Sequence, residues 1–203
     1  MIRIGVLALQ GDFREHIRAF ERVGAVAHAV RLPEHLKDVD GVVIPGGEST
    51  VMGKLMVEYG LDQPLRDLIA AGTPTWGTCA GMILLARETD NGMAGQPLLA
   101  AMDTHVCRNA FGTQRESFET DLRVPALGEP PFHAVFIRAP IIEHAGPDVE
   151  VLARLDDEDE DRGSERIVAV RQGHLLGTAF HPEVTQDSRF HDYFLGIVRA
   201  HNR

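Results

Sequence analysis

Cysteine is scarce: Cys79 and Cys107 are the only two in 203 residues. So few thiols exclude a disulfide scaffold and fit a reducing compartment. The two are able in principle to pair, but a disulfide would consume the thiol that the rest of the chain singles out below. Lysine is equally rare, with Lys37 and Lys54 alone. Basic side chains number 20 against 30 acidic ones, a net charge of −10, which argues against a nucleic-acid-binding surface. No apolar run approaches the length of a membrane span. The apolar start, residues 1–9, is short and lacks the basic region and cleavage site of a signal peptide. These absences point to a soluble cytoplasmic protein. What is present is a 44% apolar composition, enough for a sizeable core. There is no internal repeat and no linker long enough to divide the chain, so one domain over residues 1–203 is expected.

The stretch around which the chain is organised is Pro74-Thr-Trp-Gly-Thr-Cys-Ala-Gly-Met-Ile-Leu-Leu-Ala86. A short apolar strand runs into a Gly-flanked turn and then into an apolar helix. The turn, Gly77-Thr78-Cys79-Ala80-Gly81, is the thiol counterpart of the G-x-S-x-G nucleophile elbow. A nucleophile on a sharp strand-to-helix turn sits in a strained backbone, and its neighbours must be small. The helix N-terminus behind Cys79 favours a thiolate and offers N–H groups to a developing oxyanion.

The first 86 residues repeat strand, turn and helix. Residues 2–9 read as a strand buried on both faces. Gln10-Gly11-Asp12 is a turn with Asp12 as N-cap. Residues 13–23 are helical, with Phe13, Ile17 and Phe20 on one face. Strands follow at 26–32 and 40–44, then the turn Pro45-Gly46-Gly47-Glu48-Ser49, helices at 51–59 and 62–71, and a strand at 75–78. The pattern implies an α/β fold with a doubly wound, mostly parallel central sheet and a site at the carboxyl ends of its strands. After Ala86 the texture changes. Residues 87–96 read as a loop. Short strands are expected at 105–108, 117–124 and 132–137, and antiparallel strands at 149–155, 166–171 and 174–180, with a tight turn at Gln172-Gly173. The acidic run at 156–161 has no Gly at a calcium-loop position and reads as a solvated hairpin loop. A helix over 187–203 closes the chain.

The last strand delivers His181-Pro182-Glu183. In an extended segment, residues two apart point the same way, so His181 and Glu183 are expected to face one site. A thiol nucleophile needs a base, and the base an orienting carboxylate; Cys79, His181 and Glu183 supply all three. The other nine histidines, His16 and His35 among them, read mostly as surface residues. The glycines at 46 and 47 allow backbone N–H groups to turn toward a ligand, so Gly47 and Ala80 are the expected oxyanion hole.

Five segments carry a resemblance that covers the chain from end to end: Gly5-Val-Leu-Ala-Leu-Gln-Gly11, Gly46-Gly-Glu-Ser-Thr50, Arg108-Asn-Ala-Phe-Gly112, Phe136-Ile-Arg-Ala-Pro140 and Phe180-His-Pro-Glu183. With Gly77–Gly81, they resemble the class I, triad-type glutamine amidotransferases, and specifically the PdxT family, the glutaminase subunits of pyridoxal phosphate synthase. Departures are Cys107 in place of an aliphatic residue, Thr113 where Arg is frequent, and a long acidic loop. The resemblance implies hydrolysis of L-glutamine by Cys79, His181 and Glu183. It implies glutamine held by Gly47, Glu48, Ser49, Arg108, Ile137 and Arg138, with Arg108 or Arg138 on the substrate carboxylate. It implies no metal and no bound cofactor. It also implies a heteromeric complex with a PdxS-type synthase subunit that takes up the ammonia and activates the glutaminase, with Gln10 and Gly11 as a contact point near the oxyanion turn. Rival readings are a glutaminase subunit of another ammonia-channelling synthase, a non-catalytic glutamine-binding module, and a cysteine hydrolase acting on esters or peptides.

Overall fold

The computed structural model describes residues 1–93, 95–108, 117–155 and 166–202. The acidic run at 156–161, the Asn109–Gly112 part of the third segment and Thr113 lie outside them. The N-terminal half alternates as its apolar pattern requires: β1 (Arg3–Leu7), α1 (Phe13–Arg22), β2 (Val26–Val30), β3 (Gly41–Ile44), α2 (Ser49–Glu58), α3 (Asp62–Ala70), β4 (Thr75–Thr78) and α4 (Ala80–Leu85). The remainder is mainly strand: β5 (Ala86–Asp90), β6 (Met102–Cys107), β7 (Ser117–Leu122), β8 (Phe132–Ile137), β9 (Ile141–Ala145), β10 (Glu150–Leu155), β11 (Arg166–Gln172) and β12 (Leu175–Thr178), closed by α5 (Arg189–His201).

Among the described residues one large sheet has the order β2-β1-β3-β4-β12-β11-β9-β6-β5, with β10 added beside β11, and β7-β8 form a separate ribbon. From β2 to β12 every pairing is parallel; β12-β11, β11-β9 and β9-β6 are antiparallel. The mixed α/β sheet expected from the sequence is therefore present, with the antiparallel strands gathered on one side. Its central strands β3, β4 and β12 are buried at every residue. Trp76 of β4 stacks on Phe190 of α5 and packs at a tilt against Phe194, at ring-centroid distances of 6.3 and 5.7 Å. Its neighbour Gly77 points the other way, onto α4, as strand alternation demands.

Four local expectations are corrected. Residues 87–96 are not all loop: Ala86–Asp90 is a strand on the sheet edge, paired in parallel with β6. Its Arg, Glu and Asp are the charged residues that edge strands carry against unwanted pairing. The helix after Cys79 has only six residues, all buried, and gives way to β5 at Ala86. Asp12 stands at the N-cap position of α1 but makes no side-chain cap bond. His16 is not a surface residue; it is fully buried, as is His191 of α5.

These two histidines carry a cost at low pH. Burial first, then the charge of Arg22, lowers the pKa of His191 to about 3; burial, then His191 and His181, lowers that of His16. An unfolded histidine binds its proton near pH 6.5 while these do not, so the unfolded state gains protons first as pH falls. For His191 alone the loss approaches about 1.4 kcal/mol per pH unit between pH 6.5 and 3. Replacing it by Phe removes that part of the slope, which urea unfolding at pH 7 and pH 4.5 measures. An unchanged slope would contradict the assignment of His191 as a buried neutral histidine.

Candidate active site

The carboxyl ends of β3, β4 and β12 lie side by side, with Ile44 opposite Gly77 and Thr78 opposite Thr178. Each strand end then releases one piece of the site. After β3 comes the Pro45–Glu48 turn, after β4 comes Cys79, and after β12 comes His181. This follows the general placement of sites in open α/β sheets.

Cys79 has φ 47° and ψ −104°, a positive φ that is rare outside glycine. It is held there by its N–H, which donates to Thr178 O at 2.8 Å. The turn closes only because Gly81 is small: a Cβ there would fall onto the carbonyl of Ile44. The elbow geometry read from the sequence is thus observed, and its strain sits at the residue proposed as nucleophile. Cys79 Sγ lies 3.9 Å from Ile137 O.

His181 lines the same pocket as Cys79. A Cβ on Gly46 would strike its ring, so this turn is glycine where the imidazole packs on the backbone. Nδ1 of His181 lies 2.7 Å from Glu183 Oε1, with both side chains buried. The reason for that contact differs from the sequence argument. Residues 182–184 form a 3₁₀ turn rather than an extended segment, so Glu183 curls behind His181 and does not line the pocket. Burial opposes charge on His181, but the adjoining Cys79 sulfur and Glu183 carboxylate outweigh it and raise its pKa to about 11. That direction favours the imidazolium, the form that accompanies a thiolate nucleophile.

Gly47, Glu48, Ser49, Ala80, Arg108, Ile137 and Arg138, all named from the sequence, line one pocket of about 250 Å³ with Cys79 and His181. Glu48 caps α2, its carboxylate accepting from Thr50 N at 3.1 Å and Val51 N at 2.8 Å. Arg108 Nη2 donates to the same carboxylate at 2.9 Å, and Nη1 donates to Thr50 Oγ1 and Gln96 Oε1. Burial pushes the Glu48 carboxyl up, but the two backbone N–H groups and Arg108 prevail and hold it below its ordinary value. Arg108 is thus a fixed cation at one end of the pocket. Arg138 is exposed and has φ 44°. The hydroxyl of Ser49 is buried without a hydrogen-bond partner in the described structure.

Gln10 also lines the pocket. Its Oε1 accepts from Glu48 N at 2.7 Å, and Gly11 packs directly beneath Gly46. Both expected partner-contact residues therefore brace the turn that carries Gly47. Cys107 is half-buried at the end of β6 and free, like Cys79. Burial and the Glu143 carboxylate push its thiol pKa up.

Sequence reasoning missed His16 and Asp12. His16 Nε2 is 3.3 Å from Glu183 Oε2, and Asp12 Oδ2 is 3.5 Å from His181 Nδ1. A signal for His16 existed: its position falls on the helix face that carries Phe13, Ile17 and Phe20. Asp12, His181 and Glu183 also form a potential cation cluster, as do Asp90, His105 and Glu143 at the sheet edge.

The chain as a whole is similar to known proteins. A PdxT subunit of pyridoxal 5'-phosphate synthase from Leifsonia xyli subsp. xyli is 57% identical over 201 residues, 99% of this chain and 97% of the relative. The PdxT subunit of Herpetosiphon aurantiacus is 57% identical over 195 residues, 96% of this chain and 99% of its own length. A crystal structure of a glutamine amidotransferase shares 49% identity and superposes with a TM-score of 0.87, covering 97% of this chain and 98% of the other. Residues 6–200 match the SNO glutamine amidotransferase family. A match of that extent, with relatives more than half identical along nearly their whole length, means that the chain belongs to the SNO glutamine amidotransferase family.

Proposed function

We propose that this protein is the glutaminase subunit of a pyridoxal 5'-phosphate synthase. It hydrolyses L-glutamine to L-glutamate and ammonia and passes the ammonia to a PdxS-type synthase subunit. The observation that carries the reading is the line Cys79–His181–Glu183 opening onto a pocket that holds a fixed cation, Arg108, and the Gly47 turn.

The steps follow from those positions. The Cys79 thiolate attacks the side-chain amide carbon of glutamine, and the C–S bond forms. The N–H groups of Gly47 and Ala80 take the developing oxyanion. His181, protonated at rest, gives its proton to the departing nitrogen, the C–N bond breaks and ammonia leaves. Neutral His181 then takes a proton from water, whose oxygen attacks the thioester. Collapse expels the thiolate, glutamate leaves, and the thiolate–imidazolium pair is restored. Glu183 holds His181 with Nδ1 protonated, so that its other nitrogen works on the substrate side. Arg108 offers charge-assisted hydrogen bonds to the substrate carboxylate, and Arg138 at the pocket rim is the second candidate.

Glutamate release from L-glutamine, measured with and without the synthase subunit, tests the reading. Strong activation by that subunit is expected, since Gln10 and Gly11 brace the oxyanion turn and lie where docking would set it. Hydrolysis indifferent to this partner would remove the vitamin pathway and leave a glutaminase. No hydrolysis in either case would remove both.

A further inference from the structure

Behind the proposed triad the buried polar groups continue. Glu183 has one oxygen on His181 and the other, Oε2, turned into the core. There Oε2 has no hydrogen bond of good geometry among the described residues, and the ring nitrogen facing it is His16 Nε2, at 3.3 Å with both side chains fully buried. Nε2 is also 3.2 Å from Thr78 Oγ1. On the far side of the ring, His16 Nδ1 lies 3.1 Å from His191 Nε2. The residues come from four places: Thr78 ends β4, His16 lies on α1, Glu183 lies on the turn after β12, and His191 lies on α5. The contact joins the two outer helices to the site.

The proton positions follow from counting donors. Neither histidine is exposed, and burial lowers the pKa of both, so each ring carries one proton. His191 Nδ1 has no partner. A proton there would be an orphaned buried N–H, so the proton belongs on Nε2, donating to His16 Nδ1. His16 then carries its own proton on Nε2, directed at Thr78 Oγ1 and Glu183 Oε2. The opposite tautomer would set a nitrogen lone pair against a buried carboxylate.

We propose that His16, fixed in its Nε2–H tautomer by His191, is a positioning residue for the reaction: it presents a proton to the rear oxygen of Glu183 and keeps that carboxylate ionised behind His181. The need for it is plain from the burial of Glu183, which pushes the carboxyl pKa up, against the pull of His181. The nearby Asp12 carboxylate adds to that upward push. A neutral Glu183 would no longer stabilise the imidazolium. The charged and titratable groups around this chain are Glu183, His181 and Asp12 on the site side and His191 with Arg22 on the helix side. This inference rests on the glutaminase reading for its kinetic test but not for its spectroscopic one.

The kinetic test compares wild type with His16→Leu and His16→Gln, each assayed with the synthase subunit. Leu keeps the pocket dry and removes the donor; the Gln side-chain amide returns an N–H near the position of Nε2. Leu is expected to lower kcat about tenfold, to leave KM within about twofold, and to move the acid limb of the pH profile up by about one unit. Gln is expected to recover most of both. A folded His16→Leu protein with the wild-type limb, or equal losses in both variants with no movement of the limb, overturns the proposal. Nitrogen-15 spectra of the wild-type imidazoles keep it testable if the variants do not fold. A proton on Nε2 of His16 supports it, and a proton on Nδ1 overturns it. Absence of glutamine hydrolysis by wild type would count against the proposed function alone, because the spectra would still decide the tautomer.

Discussion

Cys79→Ala is expected to abolish glutamate release, by about 10⁵-fold or more, with or without the synthase subunit. The size follows from the role assigned to the thiol. Without it no thioester forms, and the Gly47 and Ala80 N–H groups are left to assist direct attack by water, for which the elbow provides no position. Glutamine binding should survive, because Glu48, Arg108 and Arg138 remain around the pocket. The fold should survive as well, since Ala occupies less volume and the Cys79 side chain faces the pocket, where it meets His181 and makes a long contact to Ile137 O. Calorimetric titration with glutamine, beside the activity assay, separates the two effects. Residual hydrolysis within about a hundredfold of wild type would mean that Cys79 is not the nucleophile. Cys107 gives no relief: its thiol pKa is pushed up rather than down, and Asn91 is bonded to its sulfur.

Glu183→Gln is expected to have the next largest effect. The serine analogue of this change, which leaves the base in the wrong tautomer, costs about 10⁴-fold. A thiol ionises far more readily than a hydroxyl, so less of the reaction depends on the carboxylate, and a loss of roughly 10²-fold in kcat is expected here. The direction has two causes. The Gln amide group is neutral, so the imidazolium of His181 loses the part of its stabilisation that Glu183 supplies beside Cys79. The amide also brings N–H groups, which meet either Nδ1–H of His181 or Nε2–H of His16 as donor against donor. KM should change little, since Glu183 lies behind the pocket wall. Activity within about threefold of wild type would show that Glu183 serves packing rather than orientation.

The elbow was fully legible because its constraint is local. Gly77 and Gly81 flank Cys79 for steric reasons that act within five residues, and a strand-turn-helix pattern surrounds them. The first four parallel strands were legible for a similar reason: β3 is apolar throughout, β1 departs only at Arg3, and β4 carries no charge between its turns; β12 was read only as an antiparallel strand, and its parallel pairing with β4 is set by the tertiary fold. What was not legible depends on partners distant in sequence. β5 carries Arg87, Glu88 and Asp90 and reads as loop until β6 pairs with it. β9, Ile141–Ala145, was not identified, because its place between β6 and β11 is set by tertiary pairing. His181 and Glu183 were correctly joined for a reason that does not hold, since the connecting segment is a 3₁₀ turn. His16 was lost because a single histidine on an amphipathic helix reads as polar surface. Only the meeting of α1 with β4, the turn after β12 and α5 makes it part of the core, and that meeting spans a sequence separation of 175 residues.

The most direct test of the central claim is to stop the reaction with acid during turnover of L-glutamine, in the complex with the synthase subunit, and to map the modified peptide by mass spectrometry. The mechanism predicts a γ-glutamyl thioester on Cys79, released by hydroxylamine and missing in Cys79→Ala. Turnover with no adduct on Cys79, or an adduct on Cys107 instead, would contradict it.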